Sequence, residues 1–125
     1  MQQRRISKKE IGERGEKLAL KYLESQNYEY VDKNYRFGRY EIDLIFVKDK
    51  TLVFVEVKSG GGKFGNPVLR ITPKKMSNLI SAAENFIFEN GEFADFQFRM
   101  DALVVSFGKN GTEFEHYENA FGKNF

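Results

Sequence analysis

A mixed α/β fold is predicted for this chain, a central mixed sheet of about five strands with a helix on each face, and three observations predict it. Apolar residues recur at helical spacing in two segments, Ile11 to Leu23 and Met76 to Phe86. Three runs rich in Ile, Leu, Val, Phe and Tyr lie between those segments, and two more follow the second. The resulting order is helix, three strands, helix, two strands. With 125 residues, the chain reads as one domain, 1–125, large enough to bury a core without staples.

The first helix starts at Ser7, an N-cap that Glu10 completes as a capping box. Its stripe of Ile11, Gly15, Leu18, Ala19, Tyr22 and Leu23 faces a core. On the helical wheel Glu16 falls at the edge of that stripe, whereas Glu13 and Glu24 point away from it. Glu16 is the acid of this helix aimed toward the sheet, although a boundary residue paired with a surface lysine is the ordinary reading. A strand over about Tyr28 to Tyr35 follows, and Gly38 marks the bend after it.

Tyr40 to Lys48 and Thr51 to Lys58 flank the polar Asp49-Lys50 and read as a β-hairpin with a two-residue loop. Lys48 then pairs with Thr51, and counting back sets Asp43 opposite Glu56 and Glu41 opposite Lys58. Directly opposed side chains share a face, with Cβ atoms about 5 Å apart. Ile45, Val47, Leu52 and Phe54 continue that face; Ile42, Leu44, Phe46, Val53, Val55 and Val57 form the other. A one-residue slip would carry Glu56 and Lys58 onto the wholly apolar face, so burial favours this register.

Ser59 to Pro67 is glycine-rich, either a loop whose backbone approaches a ligand closely or a plain connector. Thr72 caps the second helix with Pro73 in its first turn, and Met76, Leu79, Ile80, Ala83 and Phe86 form its core stripe. Asn90-Gly91 ends it. The last strands run over about Phe96 to Ser106 and Phe114 to Glu118, separated by a turn at Gly108 to Gly111.

Composition excludes several chemistries. No cysteine is present, which removes disulfides, thiolate zinc sites and cysteine nucleophiles; a single histidine, His116, leaves nucleophilic triads little support. No segment approaches a membrane span or a secretory leader, so a soluble cytoplasmic protein with no membrane partner is expected. Net charge is only +2, but residues 1–21 hold seven Lys/Arg against three Glu, residues 58–75 hold five bases and no acid, and residues 84–125 hold eight acids against three bases. A basic side suited to a polyanion follows if the two basic segments meet, and a solvated mix of charges if they do not.

Asp43, Glu56 and Lys58 put charge into runs that otherwise read as buried strands, where an unpaired carboxylate is costly. At an effective dielectric of about 20, two carboxylates about 5 Å apart repel by roughly 3 kcal/mol, so a positive charge belongs between them. A divalent cation is the natural candidate and Lys58 alone is the rival. Ligands that are all oxygen favour Mg²⁺ or Mn²⁺ over zinc. A buried salt-bridge cluster that fixes register is the structural alternative.

An acid on the first helix, an aspartate on one core strand and Glu-x-Lys on the next resemble the PD-(D/E)XK, or restriction-endonuclease-like, nuclease superfamily. Glu16, Asp43 and Glu56-Val57-Lys58 occupy those positions. The whole chain is similar to the YraN-type family of small bacterial proteins. The similarity runs through Gly12 to Leu23, Asn34-x-Arg36, Glu41 to Ile45, Phe54 to Lys58, Phe64-Gly65-x-Pro67, Arg99-x-Asp101 and Asn119-Ala120-Phe121. Tyr40 departs from the usual glycine, and Ser59-Gly60 replaces Thr-Arg, removing an arginine the resemblance would set against phosphate.

The resemblance implies a nuclease-like domain that hydrolyses phosphodiester bonds with Mg²⁺ or Mn²⁺. No aromatic-basic base-reading motif is visible, so selection by nucleic-acid structure is expected, with DNA favoured over RNA and RNA left open. Asp43, Glu56 and Glu16 would hold the ion, Lys58 would act electrostatically, and Glu41 would position Lys58. Lys63, Arg70, Lys74 and Lys75 are the candidate nucleic-acid contacts. Arg99 and Asp101 read as a structural pair or as substrate contacts. The alternatives are a nucleic-acid-binding module without cleavage and a protein-interaction scaffold, for instance a homodimer.

Overall fold

The computed structural model describes residues 7–60 and 72–120. Helix α1 spans Lys8–Ser25, strands β1 Glu29–Phe37, β2 Tyr40–Lys48 and β3 Thr51–Gly60, helix α2 Pro73–Glu89, and strands β4 Gln97–Gly108 and β5 Gly111–Tyr117. A single 3₁₀ turn, Gly91–Phe93, intervenes before β4. The strands lie side by side in chain order, antiparallel except for β3 and β4, which run parallel because α2 crosses between them. The expected order and the mixed sheet are those found.

Local chemistry explains the boundaries. The Ser7 hydroxyl accepts the Glu10 N–H at 3.1 Å, and the Thr72 hydroxyl accepts the Lys75 N–H at 3.1 Å, so each helix begins on a side-chain cap. Asp49 and Lys50 both adopt positive φ, +49° and +59°, the twist that a two-residue hairpin turn requires, and Lys48 pairs with Thr51 as counted.

The sheet carries a core on each face. Ala19 and Leu23 of α1 pack on Leu44, Phe46, Val53, Val55, Leu103 and Val105. Met76, Leu79, Ala83 and Phe86 of α2 pack on Ile42, Ile45, Leu52, Phe54 and Met100. Ile42 therefore departs from expectation, lying with the α2 core rather than with Leu44 and Phe46. The alternation of β2 shifts between Leu44 and Ile42, and Asp43 sits at that shift.

The β2–β3 pairing explains it. It follows the counted register from Lys48↔Thr51 to Leu44↔Val55 and goes no further, while β2 remains paired with β1 out to Phe37↔Tyr40. Beyond Leu44 the Asp43 carboxylate takes the Val57 N–H at 2.8 Å, so a side chain replaces a ladder partner. A small cavity of about 10 Å³, bordered by Ile42, Phe54, Glu56 and Leu79, lies at the fork.

Candidate functional site

The fork between β2 and β3 gathers acids from three elements. Asp43 and Glu41 come from β2, Glu56 from β3, and Glu16 from α1. One carboxylate oxygen each of Glu16, Glu41 and Asp43 lies within 4.8 Å of the others. Glu16 reaches this group because α1 sits very close to β3: a Cβ added at Gly15 would overlap the Cβ and Oγ of Ser59. Gly15 thus sets the depth at which its neighbour meets the sheet.

Asp43 carries the clearest electrostatic signature. Its pKa is pushed from 3.8 up to about 7, first by burial and then by repulsion from Glu16, Glu56 and Glu41, against the opposing pull of the Val57 N–H. Glu56 is held differently. Its Oε1 lies 3.3 Å from Lys75 Nζ and 3.8 Å from Lys58 Nζ, while its Oε2 is buried with no hydrogen-bond partner. That orphaned oxygen and the repelled Asp43 are what a cation would relieve, and the all-oxygen donor set fits a hard divalent ion.

The placements differ from the counted register in two respects. Glu41 was expected beside Lys58; it is instead bound by Asn34 at 3.0 Å and Arg36 at 3.2 Å, because this end of β2 stays with β1 after parting from β3. Glu41, rather than Glu56, joins Glu16 and Asp43 in the tightest group. Lys75 enters the site through Glu56, Lys74 lies exposed nearby on α2, and Lys63 and Arg70 lie outside the described residues.

Asn34 is a site residue that pattern reading passed over. Its amide donates to Glu16 Oε1 and to Glu41 Oε1, both at 3.0 Å, tying α1 to β2 at the acid cluster. It adopts φ +52°, a conformation asparagine tolerates better than most side chains. The signal was available: the Gly38-Arg39 turn pairs Phe37 with Tyr40, and counting back puts Asn34 between Lys33↔Leu44 and Tyr35↔Ile42, level with Asp43.

A second buried carboxylate lies on β4. Asp101, at 0% exposure, accepts Arg99 Nε and Nη2 at 2.8 Å each, the Asn119 N–H at 2.8 Å, and pairs with His116 Nε2 at 2.7 Å. Burial alone would raise its pKa, but the bonds from His116, Arg99 and the Asn119 backbone hold it below the ordinary value. Arg99 and Asp101 are a structural pair, and His116 belongs to it.

No helix among the described residues is long and apolar enough to cross a membrane. The family model described as "Uncharacterised protein family UPF0102" matches residues 15–105, a span that includes Glu16, Glu41, Asp43, Glu56 and Lys58. A UPF0102 protein of Christiangramia forsetii is 37% identical over 113 residues, covering 90% of this chain and 93% of the relative. A second, from Alkaliphilus oremlandii, is 37% identical over 116 residues, covering 90% and 98%. A third, from Chloroherpeton thalassium, is 37% identical over 113 residues, covering 89% and 88%.

Proposed function

The chain belongs to the uncharacterised protein family UPF0102, and we propose that it is a nuclease hydrolysing phosphodiester bonds of DNA with Mg²⁺ or Mn²⁺. The observation that carries this reading is the convergence of three carboxylates, Glu16 of α1, Glu41 of β2 and Glu56 of β3, on an Asp43 whose pKa rises to about 7. Asp43, Glu16 and Glu56 would hold the cation, with Glu41 now beside them. Such an ion, when bound, supplies Lewis-acid activation of the phosphodiester and of the attacking water.

The chain's own residues do the rest. Asn34 holds Glu16 and Glu41 in place, and Gly15 lets Glu16 approach. Lys58, 3.8 Å from Glu56, supplies positive charge where negative charge builds on the transferred phosphoryl group. Lys75, 3.3 Å from the same Glu56 oxygen, offers a second cation for the backbone of the substrate.

Incubating the protein and Asp43→Ala with labelled duplex, single-stranded, flap and four-way DNA in Mn²⁺ tests the reading. Cleavage by the native protein and loss of it in the variant is the expected result; equal cleavage by both would trace the activity to a contaminant and sink the assignment.

One observation favours a second reading, a nucleic-acid-binding module that does not cut. Lys58 and Lys75 already flank Glu56, and Asp43 takes up a proton near neutral pH, so the site has an internal means of relieving its charge. No heat of Mn²⁺ binding, with DNA binding retained, would favour the module.

A further inference from the structure

We propose that a groove on the α2 side of the acid cluster is the track for a single strand of nucleic acid, with Phe37 as the platform on which an unpaired base stacks. The inference deepens the hydrolytic reading by naming its substrate class, and rests on that reading only for what happens where the track ends.

The groove, about 520 Å³, runs between the β1–β2 turn and the start of α2, and Phe37, Arg39, Tyr40, Lys74, Lys75 and Asn78 line it. No carboxylate among the described residues lines it. Arg39 and Lys74 are exposed and have no acidic partner among the described residues. Lys75 both lines the groove and reaches Glu56 at 3.3 Å, so one side chain links the groove to the acid site. Phe37 keeps 40% of its surface in water. A lone exposed phenylalanine means little by itself, but one set among unpaired cations has the composition of a surface that stacks bases and neutralises phosphates.

A second groove supplies the contrast. It also measures about 520 Å³ and lies on the α1 side, but Glu13, Glu16 and Glu24 balance Lys17, Lys21 and Lys33, and no aromatic ring among the described residues lines it. A polyanion gains attraction from the first groove and little from the second. Duplex DNA would meet Arg39, Lys74 and Lys75 through its phosphates but has no free base for Phe37, and that separates the strand types.

Fluorescence anisotropy in EDTA reads binding without cutting. The probes are labelled oligothymidine and a blunt duplex of the same length. The native protein should prefer the single strand, and Phe37→Ala should weaken that binding by about tenfold while leaving duplex binding unchanged. Arg39→Ala with Lys74→Ala should weaken both and lower the single-strand salt slope by roughly one and a half. Phe88→Ala, an exposed ring on α2 outside the groove, should change neither. Unaltered single-strand binding in Phe37→Ala, equal loss in Phe88→Ala, or displacement of the oligonucleotide by polyglutamate as effectively as by unlabelled oligothymidine would overturn the proposal. These side chains are exposed, and an unchanged thermal midpoint confirms folding in each variant. Absence of cleavage in Mn²⁺ with these results intact rejects the hydrolytic reading alone; cleavage without a single-strand preference rejects the groove alone.

Discussion

Asp43 and Asp101 are both aspartates withdrawn from water in strands of one sheet, and their surroundings are opposite. Asp101 receives donors from Arg99, His116 and the Asn119 backbone, and its pKa lies below the ordinary value. Asp43 receives the Val57 N–H and faces Glu16, Glu41 and Glu56, and its pKa rises to about 7. The difference teaches that burial alone does not mark a functional carboxylate; the supply of donors does. Asp101 has its charge met by donors within the fold, whereas Asp43 has one backbone donor and three carboxylates around it.

The widest separation should appear on neutralising each residue. Asp101→Asn strands Arg99 beside its lost charge and should cost about 3–5 kcal/mol in urea denaturation. Asp43→Asn keeps an acceptor for Val57 while removing the repulsion, and at alkaline pH it should leave stability unchanged or higher. Equal losses would erase the distinction between the two sites.

Next comes pH. Because the folded pKa of Asp43, about 7, exceeds its ordinary 3.8, the folded state holds the extra proton between those values. Its contribution is fully present below the lower value and is lost as pH rises through about 7, by on the order of a few kcal/mol. Asp101 acts in reverse: its folded pKa is lowered, so its contribution is present above the ordinary value and is lost as pH falls through the folded one. Urea midpoints in EDTA should therefore fall between about pH 5 and about pH 9 in the native protein and stay flatter in Asp43→Asn. A native profile as flat as the variant's would remove the electrostatic basis for the contrast.

Gly15→Ala gives a smaller, more local effect. Its Cβ forces α1 away from Ser59 and should weaken Mn²⁺ binding by about tenfold, and Ser59→Gly in the same chain should restore it. Failure of the second change to rescue the first would mean that helix depth does not set the position of Glu16. Asn34→Gly should have the mildest outcome: the positive φ is retained without strain, the bridge between Glu16 and Glu41 is lost, and Mn²⁺ affinity falls by several-fold with little change in stability. Unchanged affinity would leave the bridge without a role in the site.

Much of this was legible in the sequence. The helix caps, the Asp49-Lys50 turn and the pairing down to Leu44↔Val55 follow from local chemistry and a period of two. The point at which that pairing stops does not, because it depends on the Asp43 side chain capturing the Val57 N–H, a bond that counting residues cannot register. The face of Ile42 and the partners of Glu41 both turn on that event. Glu16 was visible on the helical wheel, but how deeply it enters depends on the contact between Gly15 and Ser59, which are distant in sequence. Asn34 was reachable by counting across the Gly38-Arg39 turn, and its role required knowing that two acids converge on it.

The most direct test of the central claim, that Asp43 anchors a cation site the fold leaves incomplete, is calorimetric titration of Mn²⁺ at about pH 7 in buffers of different ionisation enthalpy. Binding accompanied by release of a proton from Asp43 is expected, both lost in Asp43→Asn while folding is retained. Absence of binding in the native protein, or binding and proton release undiminished in Asp43→Asn, would contradict it.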